Sequence, residues 1–247
     1  TPTNKLGPYE IRGVLGSGGM GTVLHAFDPL LQRSVGIKVI QAKYLAEPEM
    51  QERLVREAQA AAAVEHENIV SIYAVETHNA APCIIMPLLR GMSLKQRLDE
   101  HAGPLPVAEV LRIAHETTQG LAAAHTNGLI HRDIKPANIW LEMPRDRVKI
   151  LDFGLAIASG DESARLEGIS GTPGYLAPEQ ARGLALDQRT DIFSLGCVFY
   201  RMATGQPPFQ GEKSMRVLWT VLSDRPPAAI QLNPQLPKEF SDLISQM

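Results

Sequence analysis

Apolar positions set the plan of this chain. From Tyr9 they alternate with other residues (Ile11, Val14, Leu15), pass through Gly16–Val23, GSGGMGTV, and resume at Leu24, Ala26 and Phe27. That pattern predicts two strands joined by a glycine-rich turn. Val35 to Ile40 is an apolar run carrying one lysine, Lys38, and predicts a buried strand. After Pro48, the residues Met50, Leu54, Ala58 and Ala61 recur at helical spacing, with Glu57 on the same inward face. Ile69 to Val75 and Cys83 to Leu89 predict two further strands, and Pro87 belongs at a sheet's end or edge. The first part is thus a mostly antiparallel sheet of five strands with one helix.

Arg90-Gly91-Met92-Ser93 breaks the pattern, and helices dominate beyond it. Ser93 is placed to cap a helix running to about Glu100, and a long helix spans Pro106 to Asn127. Ile139–Leu141 and Val148–Leu151 are short strands, whereas the apolar-poor stretch from Gly154 to Gly171 predicts a mobile loop. Leu195, Val198, Phe199 and Met202 return to helical spacing around a buried-looking Asp191. The expectation is an α+β fold of two lobes, residues 9–89 and 90–247.

Composition narrows the function more than the fold. The 247 residues carry a net charge of -3, with a pI near 6.2, which leaves no basic footprint for nucleic acid. Cys83 and Cys197 lack metal spacing and predict reduced, buried thiols in a cytoplasmic compartment. No apolar run reaches the ~20 residues of a membrane span, and TPTNKLGP lacks a signal-peptide pattern. The absence of an initiator methionine and the stop at LISQM suggest a segment of a longer protein, which could carry an anchor elsewhere.

The candidate chemistry centres on His131–Asn138, HRDIKPAN. Asp133 can accept or orient a hydroxyl proton, Lys135 can neutralise a phosphate oxygen, and Asn138 can offer an amide oxygen to magnesium. These are the needs of phosphoryl transfer, which relies on positioning and cations. An ordinary polar turn is the bland alternative for the octapeptide alone. The glycine-rich turn can hold phosphate on its N–H groups or serve only as a hairpin. Thr22 and Val23 after it favour strand, against a dinucleotide fold in which the glycines open a helix. A lysine and a glutamate both forced inward predict a Lys38–Glu57 ion pair.

Together GSGGMGTV, Lys38 in VGIK, Glu57 in REAQ, HRDIKPAN, Asp152-Phe153-Gly154 and Ala177-Pro178-Glu179 make the chain resemble a eukaryotic-like serine/threonine protein kinase catalytic domain, of bacterial type. The resemblance implies a bilobal fold, ATP and Mg2+ (with Mn2+ as a substitute), and Ser/Thr-containing protein substrates, the chain itself among them through self-association. It implies that Gly16, Gly18 and Gly21 cover the phosphates and that Lys38, oriented by Glu57, holds them. Asn138 and Asp152 would bind the metal, Asp133 the substrate hydroxyl and Lys135 the transferred group. Val23, Gly36, Met86, Pro87, Leu89 and Trp140 would surround the base, and His131 and Phe153 would pack behind the site. Thr172 would line the acceptor site, while Arg132 would pair with a phosphate on Ser163, Ser170 or Thr172. The rival readings are a catalytically dead ATP-binding scaffold and a small-molecule phosphotransferase.

Departures from the family pattern carry their own expectations. Gly36 replaces the usual alanine and Trp140 the usual leucine, a pair that can compensate in volume around adenine. Pro87 stands where glutamate is usual, tolerable if only its carbonyl is needed, and Phe193 replaces a common tryptophan. Glu179 lacks the arginine that pairs with it in relatives, an omission expected to cost ~3–5 kcal/mol if the charge is buried.

Overall fold

The computed structural model describes residues 5–18, 21–41, 48–78, 81–153, 173–211 and 214–247. Strands β1 (Lys5–Leu6), β2 (Tyr9–Gly18), β3 (Gly21–Asp28), β4 (Arg33–Ile40), β5 (Ala74–His78) and β6 (Ala81–Pro87) form one antiparallel sheet, ordered β1-β2-β3-β4-β6-β5. This is six strands rather than the predicted five. The added strand pairs Lys5 with Glu10 and Leu6 with Tyr9 across a turn in which Gly7 has φ +58°. Two residues are too few to show a period of two.

The strand predicted from Ile69 begins only at Ala74, because the preceding backbone is committed elsewhere. Ile69 bridges Ile150 in parallel, Val70 N–H donates to Ile150 O at 3.0 Å, and Tyr73 N–H donates to Ile85 O at 2.8 Å. In β4 the residues Val35 to Lys38 are all buried. Tyr9, Ala26, Val35, Ile37, Cys83 and Ile85 pack together, while Ile40 and Ile84 meet Leu54 and Ala58 of α1 (Pro48–Ala62). Helical spacing placed Leu54 and Ala58 inward, and they are inward.

Below lie a small sheet, β7 (Gly91–Ser93), β8 (Ile139–Glu142) and β9 (Arg147–Ile150), and the helices. These are α2 (Leu94–Glu100), α3 (Val107–Thr126), α4 (Pro178–Ala181), α5 (Gln188–Thr204), α6 (Ser214–Ser223), α7 (Ala229–Leu232) and α8 (Lys238–Gln246). Ser93 caps α2 as expected: its Oγ accepts Gln96 N–H at 3.2 Å, and Gln96 Oε1 accepts Ser93 N–H at 2.9 Å. Helix α5 is buried nearly all round and ends at Gly205, whose φ of +75° suits a glycine cap. Both cysteines are buried and free. Among the described residues no helix is long and apolar enough to cross a membrane.

The segment joining α1 to β5 is stitched onto the lower part. Asn68 O accepts Ile150 N–H at 2.8 Å and Asn68 Nδ2 donates to Val148 O at 3.0 Å. Glu116 of α3 holds Val148 N–H at 2.7 Å. β9 is therefore fixed from above and below before it delivers Asp152 to the site.

Gly91 opens the small sheet with φ +127°, and a Cβ there would lie 2.0 Å from Leu141 O. Gly128, at φ +72°, has nothing within 4 Å of its notional Cβ. Gly128→Ala should therefore lose about 1–2 kcal/mol of unfolding free energy from backbone strain alone. Gly91→Ala should lose clearly more, because β7 must also leave β8. Urea denaturation of both variants checks this, and equal losses would mean that the contact has no weight.

Candidate active site

The catalytic loop is hung from one carboxylate. Asp191, on α5 and wholly buried, accepts His131 N–H at 2.8 Å, Arg132 N–H at 2.7 Å and His125 Nε2 at 2.8 Å. Burial opposes its charge, yet the His125 bond, the nearby His131 and the two N–H groups hold its pKa below the usual carboxylate range. Arg132 has φ +67°, a conformation that costs a non-glycine residue ~1–3 kcal/mol unless its surroundings enforce it. Here the Asp191 bonds act from one side, and Gln180 Nε2, donating to Arg132 O at 2.8 Å, acts from the other.

His131 is fully buried, and its two nitrogens have distinct tasks. Nε2 donates to Leu151 O at 2.8 Å, and Nδ1 accepts Asp133 N–H at 3.2 Å. Its ring lies 4.6 Å from that of Phe153, so both residues pack as expected. The loop then presents Asp133 to Lys135 Nζ at 2.7 Å. Asn138 Nδ2 donates to Asp133 O at 2.8 Å and to its Oδ2 at 3.0 Å. With the amide nitrogen so engaged, Asn138 Oδ1 is the atom turned to other use. Asn138 O also takes Leu151 N–H at 2.9 Å, which ties the catalytic loop to the residue just before Asp152.

Asp152, at φ +62°, meets Lys38 Nζ at 2.8 Å. Burial would raise its pKa, but the charge and hydrogen bond of Lys38, with His131 and Lys135 nearby, hold it below the usual value. The cation from the upper sheet and the oxygen groups of the lower part thus converge. Carboxylate and amide oxygens are hard donors of the kind magnesium takes, and a buried lysine suits phosphate oxygens, so the residues present fit ATP with Mg2+.

The expected Lys38–Glu57 pair is a correction. Lys38 is held by Asp152, whereas Glu57 Oε1 pairs with Arg132 Nη1 at 3.2 Å and Arg53 Nε at 3.7 Å. Burial still raises the Glu57 pKa, and the two arginines only reduce the effect. Each inward charge found an opposite partner, but not the one proposed. Arg132 accordingly faces Glu57, in the place the resemblance gave to a phosphate.

In the glycine-rich turn, Gly16 pairs with Val23 and Gly18 with Gly21. A Cβ at Gly16 or Gly18 would meet nothing within 4 Å, so protein packing does not require glycine at either position. At Gly21 it would lie 2.2 Å from Val39 O, so that glycine serves the sheet itself. Gly36 faces Met86 in the ladder, and a methyl there would press Met86 Cγ at 3.3 Å, a nearer reason for glycine than Trp140 supplies. Pro87 ends β6, as predicted, and Leu89 follows in the connection to β7. Trp140 lies on the face of β8 opposite the buried Ile139 and Leu141, its Nε1 donating to Arg90 O at 3.3 Å.

Ser163, Ser170 and Thr172, and with them Gly154 and the predicted loop, lie outside the described residues. Glu179 is not left without a partner, since Thr190 Oγ1 donates to its Oε1 at 2.7 Å. The sequence reading gave no role to Gln180 or Arg53. The i,i+4 spacing of Arg53 and Glu57 was a usable signal, but nothing local marks Gln180, whose contact spans 48 residues.

The protein kinase domain family matches residues 9–247. The chain is 39% identical over 232 residues to the serine/threonine-protein kinase PknB of Mycobacterium leprae, covering 92% of this chain and 37% of that protein. It is 37% identical over 239 residues to PrkC of Bacillus subtilis, covering 96% of this chain and again 37% of the relative. Among solved structures, a single-site mutant of the PknI kinase domain of Mycobacterium tuberculosis superposes with a TM-score of 0.76 at 26% identity, covering 99% of this chain and 88% of that one. The chain therefore spans little more than a third of the curated relatives it matches, and it belongs to the protein kinase domain family.

Proposed function

We propose that this chain is the catalytic domain of an ATP-dependent protein serine/threonine kinase, with residues 9–89 and 90–247 as its two lobes. The observation that carries the reading is the 2.8 Å contact between Lys38 and Asp152, reached from opposite lobes, beside an Asp133 already engaged by Lys135 and Asn138. Asn138 Oδ1 and the Asp152 carboxylate would hold magnesium, which would supply charge neutralisation for the phosphates.

The chain's own residues do the rest. N–H groups around Gly16 and Gly18 cover the phosphates, and Lys38 leaves Asp152 to hold them. Val23, Gly36 and Met86 lie above the base and Trp140 below it, with Pro87 O and Leu89 N–H at its edge. Asp133 accepts the hydrogen bond of the acceptor hydroxyl and orients it, and Lys135 moves from Asp133 toward the transferred group as charge develops there. The contacts Lys38–Asp152 and Glu57–Arg132 describe a resting arrangement. In the working one Glu57 turns to Lys38, and Arg132 pairs with a phosphate carried by Ser163, Ser170 or Thr172. Substrates are proteins with Ser or Thr, a second copy of this chain among them, and the domain works in the cytoplasm.

Incubation with magnesium and labelled ATP, followed by acid hydrolysis, is expected to yield phosphoserine or phosphothreonine. Asp133→Asn should lower the yield ~10²–10⁴-fold. A protein that binds ATP and transfers nothing would be a scaffold, and transfer only to small molecules would place it with the small-molecule phosphotransferases.

The exchange of partners has its own test. After preincubation with ATP the unsubstituted protein should accelerate about tenfold or more, as a charge-assisted contact worth ~1.5–3 kcal/mol allows. The Ser163→Ala/Ser170→Ala protein should stay at its initial rate. Equal acceleration in a stopped-time assay would remove both serines from regulation.

A further inference from the structure

The upper sheet runs from β1 at one edge to β5 at the other, yet residues from its two ends touch. Tyr9 Oη, on β2, donates to Glu76 Oε1 of β5 at 3.0 Å, and His78 Nε2 meets Glu76 Oε2 at 2.6 Å. The rings of Tyr9 and His78 lie edge to face, 6.3 Å apart. Gly7, in the turn between β1 and β2, has φ +58°, and a Cβ there would overlap the His78 ring. The sheet is therefore curled, and Glu76 and His78 clasp its far edge to the root of β2. Tyr9 is buried, whereas the His78 side chain is 18% exposed and that of Glu76 32%, so solvent protons reach the clasp.

That root bears on the far end of the strand. Every residue of β2 from Arg12 to Gly18 is exposed. Along this length the strand is held by its ladder to β3, which shifts register between Ile11 and Gly13 and again between Val14 and Gly16. At the tip, Gln41 Nε2 donates to Gly18 O at 3.3 Å. A bulged strand bends, so the direction of the hairpin that carries Gly16 and Gly18 follows from how its first residues are fixed. Fixing them before a ligand arrives lessens the ordering that binding must impose.

The ionisable groups around the clasp narrow what can titrate in it. Burial and the Glu76 bond push the Tyr9 phenol up to about 12, with Asp28 adding to the effect and Arg33 opposing it, so Tyr9 remains a donor. Burial also raises the Cys83 thiol of β6, against a hydrogen bond from the His78 backbone, so the sulfur stays neutral. Histidine, by contrast, is the side-chain type that changes charge between about pH 5 and 8. A neutral imidazole can still donate to Glu76, but an imidazolium makes a charge-assisted bond of roughly twice the strength. We propose that Glu76 and His78 are positioning residues for the nucleotide: acting through Tyr9 and the Gly7 turn, they seat the glycine-rich hairpin, more firmly when His78 carries a proton, and so strengthen the hold on MgATP in mild acid. The inference rests on the kinase reading above.

The test measures the Kd of MgATP by calorimetry, near pH 6 and near pH 8, for the unsubstituted protein, His78→Gln and Glu76→Gln. Titration of ATP itself is common to all three proteins and cancels in the ratio of variant to unsubstituted Kd. In acid, each variant is expected to bind about three- to fivefold more weakly than the unsubstituted protein. In base, His78→Gln should come within about twofold of it, because glutamine and neutral histidine both offer an uncharged donor. Glu76→Gln should likewise show its larger deficit in acid, where it leaves the imidazolium without a carboxylate. A deficit of His78→Gln that is equal at the two pH values overturns the proposal, since the ring would then serve packing alone. No deficit at either pH overturns it too. Failure of the unsubstituted protein to bind MgATP at all, seen before any variant is compared, takes down the kinase reading itself.

Discussion

The Asp191 carboxylate is the constraint on which the site depends. It is fully buried, and its two oxygens are taken up by the N–H groups of His131 and Arg132 and by His125. Removing an ion from water costs several kcal/mol, offset only where the geometry saturates its lone pairs. Saturation here has a structural product. It holds Arg132 in a left-handed conformation, and that conformation turns Asp133, the next residue, toward Lys135 and Asn138. Asp191 touches none of the reacting groups proposed, yet the direction of Asp133 follows from it.

Four further charges, Lys38, Glu57, Arg132 and Asp152, form two cation–anion pairs that can be drawn in two ways. Lys38 can meet either Glu57 or Asp152, and the structure adopts the second, with Glu57 on Arg132. The first leaves Asp152 without its cation, so a change to it avoids the large penalty of breaking a pair outright only if another cation, such as magnesium, takes the place of Lys38 at that carboxylate. A ligand that took one member of this set would shift the pairing of the others.

How far this was legible in the residues follows from the range of each interaction. Helices α1, α2 and α3 were readable because their periodicity is local, as is the Ser93 cap of α2. The inward directions of Lys38 and Glu57 were readable for the same reason. Their partners were not, because Glu57 and Arg132 stand 75 residues apart and an inward charge specifies only the sign of what it meets. β1 escaped because two residues show no alternation, and Ile69–Tyr73 misled because an apolar stretch can be buried without forming a strand. The glycine-rich turn was readable as a turn, but only the space around Gly16 and Gly18, against the crowding at Gly21, separates glycines open to a ligand from one the sheet needs.

Helix α5 shows what a closer reading of the same residues could have given. Within its buried, mostly apolar length, Thr190, Ser194 and Arg201 fall at i, i+4 and i+11 and so share one face. Each bonds to the same stretch of chain: Thr190 to Glu179, Ser194 to Tyr175 O and Arg201 to the Tyr175 hydroxyl. Polar groups inside a helix need partners, and a polar stripe on a buried helix implies a backbone with no regular structure of its own lying against it. Asp191, one position round from Thr190, holds the catalytic loop by the same logic. One helix therefore sets both the direction of Asp133 and the place of the segment beside it. The Thr190 bond joins Glu179 to that stripe, supplying a donor to a carboxylate near a helix start.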